Sequence, residues 1–236
     1  MAQAFIFKQF TLQQQKAAFK LGTDSVLLGS WIPDLSYRNI LDIGAGTGIL
    51  SLMMAQRFNG AEILAIEIDQ LSVEDCANNF NKAKWNDRLK IVEDDILNWT
   101  KKNVSSTFDL ILTNPPYFIN SLKNPDSRKS TARHSDTIHA GMLLEFVKNH
   151  LNKDGYFGII LPTKEFTVLA NTFINNGFYL NTICRISSFK NGEIIREMGL
   201  FSFNKHTIIE EGQYLYKAEN IKSDWYKNIS NEFYIK

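Results

Sequence analysis

The chain has 236 residues, 44% hydrophobic and 12% aromatic, with a formal net charge of +1; this suits one substantial core and excludes a polyelectrolyte that grips nucleic acid by bulk charge, so any basic surface must be local. Two cysteines, Cys76 and Cys184, without a C-x-x-C pair, and four histidines without an H-E-x-x-H helix argue against a zinc site or a disulfide framework, and no metal is expected. No run of about 18 apolar residues offers a membrane span, and the N-terminus lacks a basic start followed by an apolar stretch, so the expectation is a cytoplasmic protein with no secretory signal.

In chain order, a helix running to Trp31 precedes a buried strand at 39–43 and a helix at 47–58. Strand 62–67 (EILAIE) and helix 70–84 follow, then strand 89–92, a short helix at 96–102, and strand 108–113 (FDLILT). A helix at 136–151 ends near Lys153-Asp154-Gly155, read as a turn, before strand 156–161 and helix 164–175, closed by Gly177. Strand–helix alternation of this kind implies a parallel α/β sheet covered on both faces. Two β-like runs at 180–189 and 196–203, joined by Lys190-Asn191-Gly192-Glu193, predict an antiparallel hairpin that makes the sheet mixed. Residues 208–236 are polar with scattered aromatics, and are read as a strand plus a terminal helix. With no repeat and no low-complexity linker, residues 1–236 are expected to form one domain.

Between the first strand and its helix lies Leu41-Asp42-Ile43-Gly44-Ala45-Gly46-Thr47-Gly48. Gly44, Gly46 and Gly48 allow a tight turn and a close backbone approach to a ligand. The spacing is G-x-G-x-G, whereas a dinucleotide fingerprint is G-x-G-x-x-G. Asp42 would repel a pyrophosphate but suits an ammonium group. Glu67 ends the second strand, roughly 20 residues beyond the glycines, where an acid accepts from ribose hydroxyls, with Ile68 beside it. After the third strand, the Asp95 carboxylate is placed to accept from an adenine amino group and the Ile96 amide to donate to a ring nitrogen; the alternative is that Asp94 and Asp95 simply cap the helix that follows. A nucleoside with a zwitterionic amino-acid tail and no phosphate fits this set, which describes S-adenosylmethionine.

Asn114-Pro115-Pro116-Tyr117 follows the fourth strand. Ligands of open α/β sheets bind outside the carboxyl ends of the strands, so this turn and the glycines should share one crevice. The two prolines remove amide donors, and the turn presents acceptors instead. A conjugated amino group is a poor nucleophile. The Asn114 side-chain oxygen and the Pro115 carbonyl can hold its two hydrogens and aim its lone pair at a sulfonium methyl, stabilising the charge that develops on nitrogen. Tyr117 offers a flat face for a base. The alternative is a rigid Pro-Pro turn with Asn114 as a strand-end cap.

The glycine loop, the acid at strand two, the Asp after strand three and N-P-P-Y after strand four together resemble the Rossmann-like amino-methyltransferases. That resemblance implies a class I fold, a mostly parallel seven-stranded sheet with an antiparallel C-terminal strand and helices on both faces. Phe7-Lys8-Gln9-Phe10 and Lys20-Leu21-Gly22-Thr23-Asp24-Ser25 further resemble the bacterial tRNA1(Val) adenine-37 N6-methyltransferases. It implies a tRNA partner, methylation of the adenine beside the anticodon, and a segment 1–38 that covers cofactor and substrate ahead of a catalytic core at 39–236. It also places Thr23 and Asp24 by the methionine end of the cofactor; equally, either residue could cap the helix to Trp31.

Residues 120–135 carry Lys123, Arg128, Lys129 and Arg133 against Asp126 alone, with Lys8, Lys16 and Lys20 as possible additions from the N-terminus. Such cations give phosphate contacts without sequence reading, unless the loop is simply solvated. His134 suits a surface or phosphate contact better than a base. No extra domain for reading duplex DNA is evident, which favours an unpaired base in an RNA loop. Two rivals stay open: N5-methylation of a protein glutamine by the same turn, and a non-catalytic protein that binds the cofactor and RNA. A monomer is the default expectation.

Overall fold

The computed structural model describes residues 4–17, 19–115 and 140–235. Two short strands, β1 (Phe5–Ile6) and β2 (Thr11–Leu12), pair antiparallel ahead of helix α1 (Thr23–Trp31). Then β3 (Asn39–Ile43), α2 (Ile49–Arg57), β4 (Glu62–Glu67), α3 (Gln70–Lys82), β5 (Leu89–Glu93), α4 (Ile96–Lys102) and β6 (Phe108–Thr113) alternate. Helix α5 (Ala140–His150), β7 (Leu151–Leu161), α6 (Thr163–Ile174), β8 (Tyr179–Phe189), β9 (Ile194–Ser202), β10 (Ile209–Ala218), β11 (Ile221–Lys222) and α7 (Asp224–Ser230) complete the described chain.

The main sheet has the order β11-β10-β8-β9-β7-β6-β3-β4-β5. Strands β3 and β6 are interior strands and read as nearly unbroken apolar runs because both of their faces are covered. Alternation along β3 sends Ile40 to the core shared with α1, α2 and α3, and Leu41 and Ile43 to the core shared with α5 and α6. Asp42 falls on the Ile40 side, beneath α2. Phe7, Phe10 and Leu12 of the N-terminal segment are buried in that same core, as are Tyr226 and Phe233 near the C-terminus.

Seven strands run in the expected arrangement, with β9 antiparallel between β7 and β8. The hairpin turn follows the Asn-Gly signal, with Asn191 at φ 59°. The sheet is nevertheless nine-stranded, because β10 adds in parallel to β8 and β11 adds antiparallel to β10. These two strands cover an edge that would otherwise expose unpaired backbone.

A second difference concerns Lys153-Asp154-Gly155. Strand β7 begins at Leu151, and the segment is a bulge in the β6–β7 ladder, where Phe108 pairs with Leu151 and Leu110 with Tyr156. A Cβ on Gly155 would stand 3.0 Å from the carbonyl oxygens of Phe108 and Asp109, so the glycine serves a close backbone approach inside a strand. Among the described residues no helix is long and apolar enough to cross a membrane, and no cluster of metal-ligating side chains occurs.

Candidate active site

The carboxyl ends of β3, β4, β5 and β6 lie side by side, and each delivers one part of the site. After β3 the chain turns through Gly44 at φ 68° and Gly46 at φ 55°. A Cβ built on either glycine would meet nothing within 4 Å, so both border open space that a ligand can enter. The loop is fixed from below, since the amides of Gly44 and Ala45 donate to the Ile66 carbonyl at 2.9 and 3.2 Å. Gly48 differs. Its Cβ would stand 2.7 Å from Cys76 Sγ and 2.6 Å from Phe80 Cε1. Gly48, expected among the ligand-facing glycines, is small on that side because α3 packs onto it.

Asp42 is buried at 1% exposure, one residue from the end of β3. Its Oδ2 accepts from the Ser51 amide at 3.0 Å and from the Ser51 hydroxyl at 2.7 Å, both at the start of α2. Its Oδ1 is buried without a hydrogen-bond partner. Burial pushes the carboxyl up to about 6, against the Ser51 hydrogen bonds. A buried carboxylate oxygen without a donor is costly, and it lies under a glycine loop open on its other side. That combination fits a ligand bringing an ammonium, directly or through an ordered water.

Glu67 is also buried, and its carboxylate is turned back into the protein. Oε2 accepts the Gly46 amide at 2.7 Å, and Oε1 accepts those of Ile68 and Asp69 at 2.8 and 2.9 Å. Burial raises its carboxyl above the ordinary value, against these three amides. Glu67 therefore shapes the glycine loop, a role the sequence did not display. Each carboxylate oxygen carries two lone pairs, so Oε2 keeps acceptor capacity. Ile68 is 37% exposed beside it.

Asp95 is the N-cap of α4, where its side chain accepts from the Leu97 amide at 2.8 Å. Capping was the alternative weighed for this residue, and the structure shows it. Ile96 is the first residue of α4, a position whose N–H has no acceptor within the helix. Asp94 instead pairs with Lys102 at 2.8 Å.

Strand β6 ends at Thr113, whose hydroxyl donates to the Ile43 carbonyl at 2.9 Å and locks β6 to β3. Next comes Asn114, whose side-chain Nδ2 donates to the Ser25 hydroxyl at 2.8 Å. With Nδ2 spent on α1, Oδ1 is the acceptor end of the amide. Pro115 follows and lacks an N–H. Pro116, Tyr117, Lys123, Arg128, Lys129 and Arg133 lie outside the described residues.

Neither Thr23 nor Asp24 caps α1. The N-cap is Gly22, in extended conformation and without a side-chain cap, so both residues already lie in the first helical turn. Thr23 is the first residue of α1, the helix on which α7 packs. The Asp24 Oδ2 accepts from Arg196 Nε of β9 at 2.8 Å. Of the expected RNA contacts, the exposed Lys8 ammonium donates to the Asn231 carbonyl and that of Lys20 to the Gln14 carbonyl.

Sequence reasoning missed Ser25, and it missed how the N-terminal segment is pinned. Asn79 is buried at 1% exposure. Its Nδ2 donates to the carbonyls of Gln13 and Thr47 at 2.8 and 2.9 Å, while its Oδ1 accepts the Gln13 amide at 2.8 Å. One turn earlier, Asp75 Oδ2 accepts the amides of Lys16 and Ala17 at 2.7 and 2.9 Å. Residues 13–17 thus lie along α3 and are tied through Asn79 to the glycine loop. The readable signal was Asp75 and Asn79 at i, i+4, interleaved with Cys76 and Phe80 on an otherwise apolar helix face.

Residues 16–165 match the family model described as the methyltransferase small domain. The chain belongs to that family. This methyltransferase chain is 38% identical to a Bacteroides fragilis protein named tRNA1(Val) (adenine(37)-N6)-methyltransferase, over 100% of both chains. Proteins of the same name from Pedobacter heparinus and Vibrio campbellii are 36% and 32% identical, over 100% and 98% of this chain and 99% and 95% of theirs. Among solved structures, a predicted O-methyltransferase from Agrobacterium tumefaciens superimposes with a TM-score of 0.69 at 16% identity, covering 89% of this chain and 96% of its own. The ribosomal protein L11 methylase of Lactobacillus delbrueckii subsp. bulgaricus gives 0.53 at 19% identity, covering 81% and 83%. The shared architecture is the Rossmann-like methyltransferase fold.

Proposed function

We propose that this protein transfers a methyl group from S-adenosyl-L-methionine to the exocyclic N6 of adenine 37 in tRNA1(Val), as the names of its full-length relatives describe for them. The observation that carries the reading is the placement of Asn114 and Pro115 at the end of β6, beside the open glycine loop of β3, with the Asn114 amide held by Ser25. One domain does this work in the cytoplasm, with residues 1–38 as its covering segment; the pinning of residues 13–17 against α3 supports that division.

Asp42, Gly44, Gly46, Glu67, Ile68, Asp95 and Ile96 would hold the cofactor, which supplies an electrophilic sulfonium methyl when bound. Asp42 carries the negative charge for the ammonium end. Oε2 of Glu67 accepts from ribose, and the free N–H at the start of α4 serves the adenine. Thr23 and Asp24 sit in the first turn of α1, and Asp24 acts from behind, holding α1 to β9.

Asn114 Oδ1 and the Pro115 carbonyl accept the two N6 hydrogens of the target base. That draws the nitrogen toward pyramidal geometry and turns its lone pair toward the methyl. Transfer of the methyl would put positive charge on this nitrogen, and the Asn114 and Pro115 carbonyl dipoles are placed to stabilise it there. No strong base is required, because the proton on the methylated nitrogen would be acidic enough to pass to water. Tyr117 is the stacking face for the base, and Lys123, Arg128, Lys129 and Arg133 are backbone contacts.

The test is methyl transfer from labelled cofactor, offered separately to unmodified tRNA and to a protein extract. Label should enter tRNA as N6-methyladenine. Label in protein alone would establish the glutamine reaction instead, and cofactor binding without transfer to either would establish the non-catalytic reading.

A further inference from the structure

Lys222 is the one lysine among the described residues that is not exposed. Its ammonium lies 3.9 Å from the ring centre of Tyr234 and 4.6 Å from that of Tyr226. Tyr216, its partner across the β10–β11 ladder, stands edge-on to Tyr226 with ring centres 6.3 Å apart. Two tyrosine rings thus hold one cation at the edge strand that extends the sheet, with Tyr216 beside them.

Among the described residues the ammonium has no hydrogen-bond acceptor. Arg57, Arg88, Arg185 and Arg196 are also drawn off the surface, and each reaches carboxylates or backbone carbonyls. Lys222 faces ring faces only, and burial alone holds its ammonium below the ordinary lysine value, with no neighbouring carboxylate opposing it. Cation–π contact fixes the head group but leaves its N–H donors unspent. A partly desolvated cation in a fixed position attracts an anion more strongly than a solvated lysine does, and loses less side-chain freedom on binding it.

Its location says which anion. Tyr226 lies on α7, and α7 packs along α1. From α1, Ser25 holds Asn114. Lys222 is therefore held over a tyrosine of the helix that packs on α1, the helix that positions the methyl-accepting site. A base delivered to Asn114 brings its own phosphodiester and those of its neighbours to this rim.

We propose that Lys222, held over the rings of Tyr226 and Tyr234, binds a phosphodiester of the RNA strand that carries the target base. The site rests on the tRNA reading above and adds to it a contact outside the basic loop of residues 120–135. The two rings set the ammonium in place before the RNA arrives, so the contact contributes affinity and register without reading sequence.

The experiment measures binding of an unmodified tRNA transcript to the whole protein across a salt series, together with cofactor affinity and melting temperature. Lys222→Gln should weaken RNA binding by about five- to tenfold near 0.1 M salt and lower the slope of log affinity against log salt by roughly 0.7–0.9, the value for one lost phosphate contact. Unchanged cofactor affinity would show that the anion is not the cofactor carboxylate. Lys222→Arg keeps the charge and the ring contacts and should restore the slope. A weakening shared equally by Lys222→Arg, with a matching fall in melting temperature, would mean that Lys222 only staples α7 and would overturn the proposal. An unchanged slope in Lys222→Gln, with wild-type protein binding tRNA, overturns the phosphate site alone. Wild-type protein that binds no tRNA overturns this site and the tRNA reading together.

Discussion

Ser25 accepts a hydrogen bond from the Asn114 side-chain amide at 2.8 Å, across 89 residues of sequence. It ties the first helix to the end of the central strand β6 and sets which end of the amide serves as acceptor. Asn114→Ala should therefore lower methyl transfer by about a hundredfold, the loss expected for one aimed transition-state acceptor, while cofactor affinity barely changes. Ser25→Ala should lower kcat by about tenfold with the cofactor KM unchanged, because the amide is then free to turn. Single-turnover kinetics check both, and a full rate in Ser25→Ala would remove it from the site's support.

The pH response of cofactor binding follows from Asp42. Burial raises its carboxyl from 3.8 to about 6 in the folded protein. A folded value above the unfolded one means that the native state binds the proton more tightly, so ionising Asp42 costs stability as pH climbs toward about 6. A cationic ligand end needs the ionised form. Cofactor affinity should rise from pH 5 to pH 7 and level off above, and Asp42→Asn should flatten that rise. Titration calorimetry across this range measures it. Glu67 is raised in the same direction, so any rise that survives in Asp42→Asn belongs to Glu67.

Gly46 and Gly48 should fail differently. Both sit at positive φ, so alanine at either costs about 1 kcal/mol or more in backbone strain. At Gly48 the new methyl also meets Cys76 and Phe80, adding about 1–3 kcal/mol of overpacking. Gly48→Ala should lower the melting temperature sharply. Gly46→Ala should lower it little and weaken the cofactor instead. Paired thermal melts with and without cofactor distinguish the two.

Asn79 is the buried link between the N-terminal segment and the glycine loop. Asn79→Ala leaves the Gln13 amide and two carbonyls without their partner, at a cost of about 2–3 kcal/mol. Chemical denaturation gives the stability loss. Limited trypsin digestion gives its location, since cleavage after Lys16 or Lys20 should accelerate in the variant before the core opens. Cleavage rates equal to wild type would place the lost stability elsewhere.

Much of this architecture was legible as local pattern. Alternating strands and helices from Asn39 onward, the Asn191-Gly192 hairpin turn and the order of acids at successive strand ends all depend on residues a few positions apart, where backbone propensity and side-chain periodicity act directly. The edge strands β10 and β11 were harder. A strand covered on one face carries polar residues, and 209–218 reads Ile-Glu-Glu-Gly-Gln-Tyr-Leu-Tyr-Lys-Ala, too polar to announce a place in the sheet. Lys153-Asp154-Gly155 misled for the opposite reason. Its turn-forming residues are real, but the ladder with β6 absorbs them as a bulge.

By itself the sequence determined the kind of fold and the residue types that line the strand ends, because both are written in short periodic segments. Only the tertiary structure decided what those residues do to one another. It showed Glu67 turned back onto Gly46, Gly48 filled from outside by Cys76 and Phe80, Asn114 held by Ser25, and Lys222 held over two tyrosine rings. Each of these pairings joins different elements, and its geometry depends on how the sheet's register and the helices packed over it bring distant side chains within hydrogen-bonding or van der Waals distance.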